Sequence, residues 1–142
     1  MTEPEVCNAA AIRQAARHVT QLYDTMLAPV GIGINQYSIL NQLHLMGRGG
    51  IQDLARRLVM DRSTLGHLLR PLEARGLIRL GTSKTDARTR DVRLTKAGRD
   101  LLAQSRPLWA AAQRRFEQTI GTEPSRRLRK SLRHVASTEF SP

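Results

Sequence analysis

The chain has 142 residues, 40% apolar and 25% charged, with a net charge of +11 and a single cysteine, Cys7. That suits one globular domain, or two small lobes sharing a core, and it excludes an intramolecular disulfide. No apolar run approaches the roughly 18 residues that span a bilayer, and the acidic start MTEPEVCNAA is unlike a secretory signal. The sequence therefore predicts a cytoplasmic protein with no membrane partner.

Residues 8–28 keep Ile12, Ala15, Val19, Leu22, Tyr23, Met26 and Leu27 at helical spacing, which predicts a long first helix ending before Pro29. After the turn APVGIG, Asn35 is placed to cap a second helix with Ile39, Leu40 and Leu43, stopped by the glycines at 47, 49 and 50. Ile51, Leu54, Ala55 and Leu58 predict a short third helix. Asp61 then caps a fourth, and Gly76 ends it. Pro71 lies inside that fourth helix, where it removes a backbone hydrogen bond at a cost of about 3 kcal/mol, so a bend or a restart is expected there. Ile78 and Leu80, then Val92 and Leu94, alternate with polar residues and predict a two-stranded hairpin around the basic loop TSKTDARTR. Thr95 caps a fifth helix carrying Leu101, Leu102, Leu108, Trp109, Ala112, Phe116 and Ile120, with a bend near Pro107. A sixth helix follows Pro124, with Leu128, Leu132 and Val135 on one face.

The fold class is thus mainly α (α+β), and the charge is unevenly spread along it. Residues 1–50 are balanced, whereas residues 51–95 hold ten Lys/Arg against five Asp/Glu and residues 96–142 hold ten against four. A basic second half predicts an anionic partner, and double-stranded DNA with its regular phosphates is the common one. Two short helices in tight succession followed by a basic hairpin are the order of a winged helix-turn-helix. In that arrangement the leucines of DRSTLGHLLRPLEARG pack inward, while Arg62, Ser63, Thr64, His67 and Arg70 face a major groove. Amides at the start of this helix also favour a phosphate. The hairpin loop, with Lys84, Arg88 and Arg90, reaches a neighbouring minor groove.

The run IQDLARRLVMDRSTLGHLLRPLEARGLIRLGTSKTDARTRDVRLTKAG resembles the DNA-binding core of the MarR family of bacterial transcriptional regulators. The matching features are the DRST opening of the recognition helix, the LEARGLI exit, the DxRxR wing at Asp86, Arg88 and Arg90, and LTxxG at Leu94, Thr95 and Gly98. QYSIL in the second helix and the long outer helices extend the likeness over nearly the whole chain. The resemblance implies one domain over residues 1–142, with residues 8–34 and 98–138 as dimerisation helices and residues 35–97 as a winged helix-turn-helix lobe. It implies a homodimeric repressor on a pseudo-palindromic operator, released by a small aromatic or phenolic effector. Tyr23, Met26, Tyr37, His44 and Trp109 are candidates for lining the effector cleft. It further implies a wing arginine, Arg88 or Arg90, in the minor groove and steadied by Asp86. The chain departs from the family where Thr-Arg often follows the Ser-Thr-Leu segment, because Gly66 and His67 stand there; His67 can bond a base edge but lacks arginine's two-pronged reach to guanine.

Other readings stand beside these. Ser63 and Thr64 also suit ordinary helix capping, and the charge run RRLRKSLRH at 126–134 suits the solvated face of an amphipathic helix as well as an acidic partner. Some relatives sense oxidants through a cysteine near the first helix, which makes Cys7 a candidate thiol switch. An architectural DNA-binding protein without a ligand is a further alternative. His18, His44, His67 and His134 lie on different elements without metal-ligand spacing, and no paired carboxylates, nucleophile elbow or phosphate loop occurs. No cofactor, metal site or enzymatic activity is expected.

Overall fold

In the computed structural model, which describes residues 1–82 and 90–142, the first apolar stripe becomes α2 (Asn8–Leu27). One turn of helix, α1 (Glu3–Val6), precedes it, and Cys7 caps α2, its sulfur accepting the Ala10 N–H at 3.4 Å. A 3₁₀ turn at Ala28–Val30 and Gly31, at φ +74°, then reverse the chain into α3 (Ile34–Met46). The cap of α3 is Gly33 rather than Asn35. Asp24 of α2 supplies the acceptor, taking the Ile34 N–H at 2.7 Å, while the Gln36 side chain takes the Gly33 N–H at 3.2 Å. A Cβ at position 33 would lie 2.8 Å from the Asp24 carboxylate, so glycine is what admits this cross-helix cap.

The chain continues through β1 (Gly49–Gly50), α4 (Ile51–Leu58), α5 (Arg62–Ala74), β2 (Ile78–Thr82), β3 (Arg90–Leu94), α6 (Lys96–Ile120) and α7 (Thr122–Ser137). The expected hairpin is present, with Ile78 opposite Leu94 and Leu80 opposite Val92, but it belongs to a three-stranded antiparallel sheet in the order β1-β3-β2. Gly49 and Gly50 pair with Val92 and Asp91 and make β3 central. Neither proline ends its helix: α5 runs on through Pro71, and α6 through Pro107. Helix α7 starts at Thr122, before Pro124. A proline in a first turn costs little, because the N–H groups there have no partner within the helix.

Leu27, Ile39, Leu40, Leu43, Leu54, Leu65, Leu69, Leu72, Val92 and Leu102 are fully buried in one cluster, so the helix-turn-helix and the long helices share a core. The joint between β2 and α6 is closely packed. Thr95 donates its N–H to the Leu77 carbonyl at 3.1 Å and its hydroxyl to the Gly76 carbonyl at 2.6 Å, and accepts the Gly98 N–H at 3.1 Å. Gly98 is buried against the Leu77 backbone. This is the physical content of the LTxxG motif: a self-capping first turn that a side chain would push off the sheet.

Between α4 and α5 the chain turns on Val59, which is 69% exposed and has φ +52°. A β-branched residue is strained in that left-handed region, which glycine or asparagine would occupy more easily.

Candidate nucleic-acid interface

Helix α5 buries Leu65, Leu69 and Leu72, and this fixes what faces outward. Ser63, His67 and Arg70, spaced by four and then three residues, form one exposed stripe on the opposite side, with Arg62 and Thr64 exposed at its flanks. All five major-groove candidates are therefore exposed at the surface of this one helix.

The N-terminus of α5 is not an open anion site. Asp61 caps it, one carboxylate oxygen accepting the Thr64 N–H at 2.7 Å and the other the Thr64 hydroxyl at 2.9 Å. A phosphate expected at these amides would meet a carboxylate already there, and the Thr64 hydroxyl proton is already engaged. These two bonds, the backbone one foremost, hold the Asp61 carboxyl below its ordinary range. Because the folded value is the lower one, the cap's contribution is complete at neutral pH and is lost only as the pH falls through that depressed value. The difference in melting temperature between the parent and Asp61→Ala is thus expected to stay constant from neutral pH down to about pH 5 and to close in more acid solution. Thermal melts across that range check it; a gap that widens on acidification would refute the assignment.

The wing is described only at its base. Lys84, Asp86 and Arg88 lie outside the described residues. Arg90 is exposed at the first position of β3, opposite Thr82. Sequence reasoning missed a second support here. Arg48, just before β1, donates from Nε to the Asp91 carboxylate at 2.9 Å, tying the entry to the helix-turn-helix to the central strand. Nothing in the sequence couples two residues 43 apart. At the far end of α5, Leu80 donates its N–H to the Glu73 carboxylate at 3.3 Å, and Arg75 donates to the Gly31 carbonyl at 2.8 Å.

The candidate effector residues separate into groups. Tyr37 is buried and stacked on Trp109, ring centroids 6.0 Å apart and planes 9° from parallel, where α3 meets α6. Tyr23 instead donates its hydroxyl to Gln113, in a mainly apolar groove of about 480 Å³ between α2, α6 and α7. Burial, with Glu117 adding to it, raises the Tyr23 phenol, so it stays a donor at neutral pH. Met26 is half-buried, and His44 is exposed in the last turn of α3. Cys7 is half-buried at its cap. Among the described residues no three His, Cys, Asp or Glu side chains come together as a metal site, and no helix is long and apolar enough to cross a membrane.

A short helix, a tight turn, a second helix with one exposed polar face and a three-stranded sheet with a basic hairpin define a winged helix-turn-helix, the DNA-binding class. The MarR family model matches residues 32–89. Over 92% of its length the chain is similar to the Mycobacterium tuberculosis transcriptional regulator MosR, solved in complex with DNA, at 32% identity and a TM-score of 0.83, covering 93% of that protein. It is also similar to the transcriptional repressor CouR bound to a 23-mer DNA duplex, at 27% identity and a TM-score of 0.84 over 96% of both chains. The regulator Hpr of Exiguobacterium sibiricum is 32% identical over 83 residues, and the chain spans 44% of that relative's length. The chain belongs to the MarR family, whose members are DNA-binding transcriptional regulators and not enzymes.

Proposed function

We propose that the protein is a ligand-responsive repressor that binds a pseudo-palindromic operator as a homodimer. The observation that carries this reading is the stripe Ser63–His67–Arg70 on α5, exposed opposite a fully buried leucine face. Residues 35–97 form the reading lobe of a single domain, and residues 8–34 and 98–138 its dimerisation helices. Helix α5 lies in the major groove with Ser63, Thr64 and His67 toward base edges and Arg62 and Arg70 toward base edges or phosphates. The wing cations Lys84, Arg88 and Arg90 follow the backbone into the minor groove, Asp86 steadying whichever arginine inserts. The DNA complexes of MosR and CouR support this docking. Exposed Ile12, Ile120, Leu128, Leu132 and Val135, all on the outer helices, support the dimer. The Tyr37–Trp109 stack lies where the reading lobe meets the long helices, a position where an aromatic or phenolic effector can exchange ring contacts with it.

A footprint on promoter fragments, repeated with phenolic and other aromatic acids, tests the proposal. A discrete two-fold footprint that one such acid removes is expected. Uniform protection identifies an architectural protein, loss of binding on peroxide treatment alone identifies a Cys7 switch, and no protection overturns the reading.

Positioning and reading should separate by mutation. Replacing Arg90, or Arg88, with alanine is expected to weaken binding by about 1–3 kcal/mol for whichever arginine inserts, with little change in preference among single-base operator variants. His67→Ala should alter preference at one or two symmetric positions per half-site. Wing variants that fold, dimerise and bind like the parent would exclude the wing from the interface.

A further inference from the structure

Helix α7 has two unlike faces. Leu128 and Leu132 line the groove against α2 and α6, with Val135 on the same side. Arg126, Lys130, Arg133 and Ser137, at spacings of four, three and four, occupy the opposite side, flanked by Arg127 and His134, and all are exposed. Arg126 is paired with Glu123 at 2.8 Å, and Arg129, toward the core, with Glu117 at 3.2 Å. Arg127, Lys130 and Arg133 make no ion pair among the described residues.

The C-terminal end of this basic stripe faces the helix-turn-helix. A groove of about 780 Å³ separates them, with Arg133, Ala136 and Ser137 on one wall and Arg56, Val59 and Met60 on the other. Among the described residues no carboxylate lines it, although Arg56 itself pairs with Asp53. Val59 and Met60 immediately precede Asp61, the cap of α5, so the groove opens beside the end of the helix that reads DNA.

We propose that Arg127, Lys130 and Arg133 form a second DNA-contacting surface, engaging phosphates of the same duplex whose major groove receives α5. This rests on the DNA-binding reading above. A duplex carries about one negative charge per 1.7 Å of axis, so a second basic strip beside the reading helix meets further phosphates without any base contact. Mostly uncharged walls between the two strips strengthen the field across the groove. Contacts of this kind add affinity and set register but carry no sequence information. Because the stripe lies opposite Leu128 and Leu132, it stays outward when the apolar face is covered.

The test uses the full chain and a duplex that the parent binds. Arg127, Lys130 and Arg133 are changed together to glutamine, and Arg13, Arg17 and Arg114, three exposed arginines elsewhere, are changed together as a charge-matched control. Dissociation constants are measured across salt concentration. Each lost phosphate contact lowers the slope of log affinity against log salt by about 0.9, so one contact per protomer in a two-fold complex lowers it by about 2. The α7 variant is expected to lose at least that much slope and at least about tenfold in affinity at 150 mM salt, with its ranking of operator variants unchanged. The control, once sedimentation shows that it assembles as the parent does, should keep the parent's slope. An α7 variant with the parent's slope, or one matched by the control, overturns the proposal. Should sedimentation show that the triple variant assembles differently, Lys130→Gln alone carries the same test with an expected slope loss of about 2. A parent that binds no duplex refutes the DNA-binding reading itself, before any variant is compared.

Discussion

Alanine at position 98 is expected to destabilise the fold severely. An added Cβ would lie 2.0 Å from the Leu77 carbonyl oxygen and 3.0 Å from its carbon. Those atoms are backbone and cannot rotate away. The same carbonyl accepts the Thr95 N–H, and Thr95 is bonded in turn to Gly76 and Gly98, so relief requires lifting the first turn of α6 from the sheet and breaking the whole joint. Overpacking against backbone costs about 3 kcal/mol or more, a large part of the roughly 5–15 kcal/mol that holds a domain folded. Gly66→Ala on α5 is the natural comparison, since nothing lies within 4 Å of its missing Cβ. That change is expected to stabilise the helix by about 0.5–1 kcal/mol. Urea titrations of the two variants measure both effects, and a Gly98→Ala protein as stable as the parent would contradict the packing described at this joint.

Replacing Leu128 and Leu132 together by aspartate is expected to give a monomer that no longer holds an operator. Both side chains are 43% exposed in the single chain, and they line an apolar groove that a second copy covers in the proposed dimer. Two carboxylates buried there would lack partners, and the interface would not form. Losing the second half-site removes the effective-concentration advantage of a linked pair, so affinity for the full operator should fall by about 10²–10⁴-fold. Sedimentation and gel-shift measurements on one preparation decide the matter. Deleting residues 121–142 should be harsher still, because the apolar faces of α2 and α6 in that groove lose α7, and an unfolded or aggregating product is expected. A dimeric double-aspartate protein with parental affinity would place the interface elsewhere.

The helices were legible because their side chains carry a period. The leucines of α5, the stripe of α2 and that of α6 each show which face is buried, and the exposed set Ser63, His67 and Arg70 follows by subtraction. What escaped the sequence was whatever depends on a distant backbone or on residues without side chains. Strand β1 consists of two glycines and has no alternation to read. The cap of α3 moved from Asn35 to Gly33 because its acceptor, Asp24, belongs to another helix. The pair Arg48–Asp91 joins segments with no local relation, and the close packing of Gly98 becomes visible only beside Leu77. Residue type alone singles out the aromatic candidates, and helix orientation sends Tyr23 to one groove and Tyr37 with Trp109 to another contact. Cys7 was read for its thiol chemistry, whereas locally it serves as a helix cap.

The side-chain-free strand β1 has a consequence for protein engineering. Gly49 and Gly50 pair with β3 immediately before α4 begins, so the sheet at the base of the wing runs directly into the first helix of the helix-turn-helix. Recognition elements in such a lobe are not modular. A chimera that transplants residues 61–94 from one regulator into another inherits a central strand whose second partner, β1, and the arginine anchored to that strand stay behind in the donor. Transfer of binding specificity should therefore take the segment from Arg48 onward as the smallest exchangeable unit.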